Sequence, residues 1–135
     1  MALPIGATGT ATLTVTESDL ASALAQRPSD GFPPVLATAR MVALMELAAS
    51  RVLHAELSEG ELSVGVDMHI AHTAATPVGA EVIAEARFVG MAGKLYRFEV
   101  AARDAGGEIG RGTHQRAVVA SARLLAGAER RCPLH

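Results

Sequence analysis

A chain of 135 residues supplies one ordinary domain and not two. Half of it is hydrophobic, yet aromatics make up 3% and tryptophan is absent, so the core must be packed by Ala, Val, Leu, Ile and Met. That composition, with a net charge of −2 and both signs interspersed, excludes the aromatic platforms and basic footprint of a nucleic-acid binder. The single cysteine, Cys132, has no partner for an internal disulfide and sits in a terminal segment ill suited to hold a nucleophile. Residues 1–6 lack a basic stretch followed by an apolar one, and the longest apolar segment, 41–49, is interrupted by Glu46. A cytoplasmic protein with no membrane partner is expected.

In chain order, residues 8–16 alternate Thr8, Thr10, Thr12 and Thr14 with Gly9, Ala11, Leu13 and Val15, the period of a half-buried strand. A short helical turn at 17–24 follows. Residues 26–37 carry Pro28, Gly31, Pro33 and Pro34 and read as a loop. It ends at Thr38, a residue suited to cap a helix. From 39 to about 57, Met41, Val42, Met45, Ala48, Ala49, Val52 and Leu53 recur at helical spacing, and Ser58-Glu59-Gly60 stops the helix. The remainder reads as strands at 62–72, 81–91, 94–104 and 108–125. They are joined by a Pro77-containing connection, a tight turn at 90–93 and the hairpin signal Asp104-Ala105-Gly106-Gly107. The order predicts an α+β domain over residues 1–135, an antiparallel sheet packed on one long helix, with 124–135 as a flexible tail.

Several residues stand out chemically. At about 100° per residue, Glu46 falls beside Val42, Ala49 and Leu53 at the margin of the apolar face. A carboxylate there is partly desolvated, which raises its pKa and suits a base or nucleophile; a boundary glutamate reaching water is the plain alternative. His72 ends a strand, where it serves either as a backbone-bonded turn histidine or as an acid or base. His69 lies three residues away and so on the opposite face of an extended strand, which leaves no metal pair. Thr38 either caps the helix or, with the first-turn N–H groups, orients a carbonyl. His114 and Arg116 share one face of the last strand, for substrate, subunit contact or solvent. Gly65 within a strand marks a close approach of ligand or backbone. Phosphate-cradling, Rossmann, nucleophile-elbow and HExxH motifs are absent from the sequence.

Taken together, the segment Ala37-Thr38-Ala39-Arg40-Met41-Val42-Ala43-Leu44-Met45-Glu46, then Ser63-Val64-Gly65, then His72-Thr73-Ala74-Ala75-Thr76-Pro77-Val78-Gly79 resembles the hotdog-fold thioesterases related to the fluoroacetyl-CoA-specific thioesterase. Gly110-Arg111-Gly112-Thr113-His114-Gln115-Arg116 is similar to that family's last-strand motif, and the spacings agree (46 − 38 = 8; 72 − 46 = 26). The resemblance implies a hotdog fold, with Thr38, Glu46 and His72 as the catalytic set. It places Gly65 against the acyl group, Phe32, Leu36, His114 and Arg116 on the substrate, and the site at the interface of a homodimer, Thr38/Glu46 and His72 coming from different subunits. No cofactor or metal is implied, CoA entering as part of the substrate. The loop 31–36 offers one phenylalanine, with Leu36 where an aromatic gate residue is expected, so fluoroacetate specificity is not carried over. The expected function is hydrolysis of a small or medium acyl-CoA to acid and CoA. The alternatives are a non-catalytic acyl-thioester-binding protein and a hotdog enoyl-thioester hydratase.

Overall fold

The computed structural model describes residues 3–134. Met1, Ala2 and His135, and with them the outermost parts of the expected N-terminal segment and tail, lie outside the described residues. Five strands, β1 (Thr8–Thr14), β2 (Glu61–His72), β3 (Glu81–Ala92), β4 (Leu95–Asp104) and β5 (Gly107–Ala120), form one sheet. All pairings are antiparallel, in the order β1-β3-β4-β5-β2. The helix α1 (Thr38–Leu53) lies across one face, packed mainly on β1 and β3. This is the hotdog arrangement: alternation gives each strand one apolar face, and the helix covers it.

The core holds Met41, Leu44, Met45, Ala48, Ala49, Val52 and Leu53 from α1 against Ala11, Val82, Ala84, Ala86, Phe88, Phe98, Val100, Ala102 and Ile109. Small residues on β3 and β4 let the helix sit close. Gly9 on β1 does the same, since a Cβ there would lie 2.5 Å from the Ala48 carbonyl oxygen. The helix ends at Leu53 rather than 57 and continues as a single 3-10 turn, His54–Glu56. The last strand is also shorter than expected. It stops at Ala120, and the segment from 124 assigned to a tail is helical through Arg131, within α2 (Ser121–Arg131). Ser, Ala, Arg and Leu at 121–125 fit a strand or a helix equally in composition, and no residue of α2 is buried to decide between them.

Two features position the site. Between β1 and α1 the chain runs through short 3-10 turns at Glu17–Asp19, Ala21–Leu24 and Pro28–Asp30. The buried Asp19 ties this segment to the helix: its carboxylate accepts from the Thr16 N–H (2.8 Å), the Thr16 hydroxyl (2.9 Å) and Arg40 Nε (2.9 Å), and its carbonyl accepts from the Ala37 N–H (2.9 Å). Burial pushes the Asp19 carboxyl up, but the Thr16 and Arg40 hydrogen bonds and the Arg40 charge outweigh it and hold it below the usual carboxylate range.

The second feature is a β-bulge at Val66, where the β2–β5 register shifts between Gly65 and Asp67. Gly65 and His72 are seven residues apart and would face opposite sides of a regular strand. The extra residue resets the phase. Gly65 then pairs with Arg116, Met68 with His114 and His72 with Gly110, so both ends of β2 present their functional residue to the helix side.

Candidate functional site

Thr38 is the first helical residue, not the cap. Ala37 occupies the cap position, with extended backbone and no side-chain cap bond. The Thr38 hydroxyl is therefore free for another partner and lies 2.8 Å from His72 Nδ1. His72 arrives from the end of β2, and its Nε2 is shielded from solvent without a hydrogen-bond partner. The two line a hollow of about 380 Å³ with Val35, Leu36, Thr73 and Ala75. At the start of α1 the Arg40 and Met41 N–H groups both donate to the Ala37 carbonyl (3.0 and 3.1 Å), which leaves the Thr38 and Ala39 N–H groups ahead of the first intrahelical bond. His69, one of the pair weighed as a metal site, faces away: no bulge intervenes between it and His72, which pair with Thr113 and Gly110 respectively. Among the described residues no group of three His, Cys, Asp or Glu is placed to hold a metal ion.

Glu46 lies two turns further along α1. Eight residues at about 1.5 Å rise separate it from Thr38 by about 12 Å along the axis, too far for both to reach one carbonyl carbon. Within the chain it is Thr38 and His72 that meet, while Glu46 stands apart. The expected division, Thr38 with Glu46 and His72 alone, is thus corrected for the Thr38–His72 contact. Nor is Glu46 desolvated in one chain: its side chain is 41% exposed, and Arg116 Nη1 donates to Oε2 at 3.0 Å. Its carboxylate sits over Gly65, where a Cβ would collide with Oε2 and come within 3.2 Å of Cδ and of His114 Cε1. The close approach at Gly65 within this chain is thus that of side chains, where ligand or backbone was expected. Glu46, Gly65, Met68 and His114 line a second hollow of about 210 Å³.

His114 and Arg116 share a face, but it is the buried face. They are 1% and 6% exposed and lie beneath Glu46 rather than on an open surface. Arg116 also donates from Nε to Ser63 Oγ and from Nη2 to the Ser63 carbonyl, each at 3.0 Å. Of the two loop residues, Leu36 is buried and lines the Thr38–His72 hollow, whereas Phe32 is half exposed and does not line it. Residues the sequence reading passed over include Asp67, whose carbonyl holds His114 and whose carboxylate accepts from Gln115 at 2.5 Å, and Ser63 and Asp19. Glycine followed two residues later by aspartate within a strand was the available signal for Asp67.

Comparison with known proteins bears on the fold and the family. The family model for the fluoroacetyl-CoA-specific thioesterase (FlK) matches residues 15–122. The fluoroacetyl-CoA thioesterase of Streptantibioticus cattleyicolor is 44% identical over 88 residues, which is 65% of this chain and 63% of that enzyme, so the match spans less than two thirds of the relative. A solved structure of a fluoroacetyl-CoA thioesterase superposes with a TM-score of 0.92 at 34% identity, covering 98% of this chain and all (100%) of that one. A Thermus thermophilus member of the thioesterase superfamily gives 0.84 at 27% identity, over 96% and 93% of the two chains. A hot-dog-like protein from Thermanaerovibrio acidaminovorans, 22% identical with a TM-score of 0.82 over 98% and 96% of the chains, shares the fold. The chain has the hotdog fold and belongs to the fluoroacetyl-CoA-specific thioesterase family.

Proposed function

We propose that this protein hydrolyses a small or medium acyl-CoA to the free acid and CoA, at a site that two copies of the chain complete. One observation carries the reading: Thr38 and His72 form one half-site, with an unpartnered His72 Nε2, while Glu46 over Gly65 forms another too distant to share a carbonyl within one chain. Both half-sites lie along β2, an edge strand whose outer row of N–H and C=O groups pairs with no other strand among the described residues. A second β2 running antiparallel about a two-fold axis near His69 brings Gly65 of one copy opposite His72 of the other, because the bulge makes Gly65 and Val66 share one ladder position (66 + 72 = 69 + 69).

At such a site a thioester carbonyl meets Glu46 on one side and the Thr38–His72 pair on the other. Glu46 either attacks the carbonyl carbon, forming a mixed anhydride as the C–S bond breaks, or takes a proton from the attacking water. If the Thr38 hydroxyl donates to Nδ1, the His72 proton sits on Nε2, directed at the departing thiolate. The Thr38 or Ala39 N–H at the start of α1, or a backbone N–H near Gly65, supplies oxyanion stabilisation, and loss of one such donor typically costs about 10²–10³-fold in rate. Family membership and the Thr/Glu/His set together favour hydrolysis over passive binding.

The test offers purified protein fluoroacetyl-, acetyl-, butyryl- and hexanoyl-CoA and follows free thiol. Release of thiol establishes the reaction. Ligand-induced stabilisation without thiol identifies a binding protein, and hydration of an enoyl-CoA without thiol a hydratase. Assembly is tested by mixing inactive Glu46→Gln with inactive His72→Ala. If each site draws Glu46 and His72 from different copies, mixed dimers carry one intact site and the mixture recovers about a quarter of wild-type activity. No recovery after subunit exchange shows that each site lies in one chain.

A further inference from the structure

Beneath Glu46 lies a polar cluster that the proposed chemistry does not touch. Arg116 is buried in a face otherwise packed with Ala, Val and Phe, and a buried guanidinium persists only when its donors are met. Here they are: Ser63 takes Nε and Nη2, while Nη1 is shared between Glu46 Oε2 at 3.0 Å and His114 Nε2 at 3.1 Å. His114 is fixed from its other side by the Asp67 carbonyl oxygen, 2.6 Å from Nδ1. A carbonyl only accepts and a guanidinium only donates. The ring proton therefore sits on Nδ1, and Nε2 offers its lone pair to Arg116.

We propose that His114 is a positioning residue for Glu46: as the Nδ1–H tautomer it locks Arg116 in the orientation that presents Nη1 to the carboxylate, and its protonation undoes that lock. The proposal rests on the reading of Glu46 as attacking or water-activating group. Protonated, Nε2 turns from acceptor to donor and confronts an Arg116 N–H, cation against cation. The groups facing the ring are Arg116 on its own strand, Glu46 from α1, Asp67 from β2 and the Phe98 ring from β4, at 6.3 Å between centroids. Burial lowers the His114 pKa below its ordinary 6.5 and the Arg116 charge adds to this, outweighing the Asp67 carbonyl hydrogen bond and the Glu46 and Asp67 charges. The ring is thus the neutral acceptor at neutral pH, and the lock fails on the acid side.

Two variants separate positioning from packing. His114→Leu fills the space without an acceptor. His114→Gln places a carbonyl oxygen near the Nε2 position and does not titrate. With the fastest substrate of the acyl-CoA panel, His114→Leu is expected to lower kcat about 10- to 100-fold with KM within about twofold. His114→Gln restores most of that loss at neutral pH and flattens the acid limb of the kcat profile. Nitrogen-15 spectra of the wild-type imidazole report Nδ1–H. An acid limb unchanged in His114→Gln overturns the proposal, as does an Nε2–H tautomer or a wild-type kcat in His114→Leu. If the leucine variant does not fold, the glutamine profile and the nitrogen spectrum still decide. Wild-type turnover by Glu46→Gln sinks the reading of Glu46 itself. An inactive Glu46→Gln beside an unchanged His114→Gln profile sinks only the positioning role.

Discussion

Thr38 and His72 meet through one hydrogen bond at the mouth of an open hollow, whereas Glu46 is anchored by a guanidinium on which Ser63 and His114 also converge. One half of the site keeps spare bonding capacity, in the free Nε2 of His72; in the other the guanidinium beneath Glu46 has its donors met and holds the carboxylate through Oε2. The contrast follows from the roles proposed for them. A group that passes a proton to a leaving thiolate needs an unoccupied nitrogen, while a carboxylate that attacks or activates water needs a fixed direction. The bulge at Val66 lets one strand carry both kinds of chemistry on the same face.

Glu46→Gln should have the largest effect. It keeps an oxygen for Arg116 but removes the proposed nucleophile or base, so kcat is expected to fall about 10²–10⁴-fold with the fold intact. A small loss would erase the contrast by making the anchored half dispensable. His72→Ala should come next, at about 10²-fold, with Thr38→Val nearer 10-fold because it frees the ring without deleting it. Thr38→Ser should restore the rate, since only the hydroxyl is bonded to His72. Gly65→Ala tests the anchored half by volume. Its methyl pushes the Glu46 carboxylate off Arg116 and crowds the buried His114 ring, so a kcat loss of about 10-fold is expected with a stability loss of about 1–3 kcal/mol in thermal melts. A folded, fully active Gly65→Ala would show that the close approach has no role in turnover.

The smallest effect concerns stability. Asp19→Asn should cost about 1 kcal/mol in denaturant melts by weakening its bonds to Thr16 and Arg40. The two depressed pKa values also give a sign. Asp19 and His114 both bind protons less readily when folded, so each contributes stability that is full above its ordinary pKa and lost as pH falls toward the folded value. On acidification the His114 contribution fades first, below about 6.5, and that of Asp19 follows below 3.8. His114→Gln should abolish the first phase and leave the second. Melting temperatures across pH check this directly.

How far the sequence carries the site differs residue by residue. The helical period placed Glu46 at the edge of the apolar face, and there it lies. It did not reveal the partner, because Arg116 is 70 residues away and comes beneath Glu46 only through the register of β5 against β2. Thr38 had the composition of a cap, yet backbone geometry gives that position to Ala37, and the hydroxyl turns to His72 instead. His114 and Arg116 were correctly placed on one face. Which face was open, since parity along a strand has no sign until the sheet meets its helix.

The amino-acid sequence by itself determined the α+β class, the single long helix and the antiparallel run of strands, which are properties of local periodicity; the resemblance named Thr38, Glu46 and His72 as the residues to test. The tertiary structure alone decided that Thr38 meets His72 while Glu46 pairs with Arg116, and that His114 and Arg116 are buried. It also showed that a one-residue bulge brings Gly65 and His72 to the same side. The reason is physical: side-chain partners depend on strand register and on which surface is withdrawn from water, and both are settled only when distant segments pack.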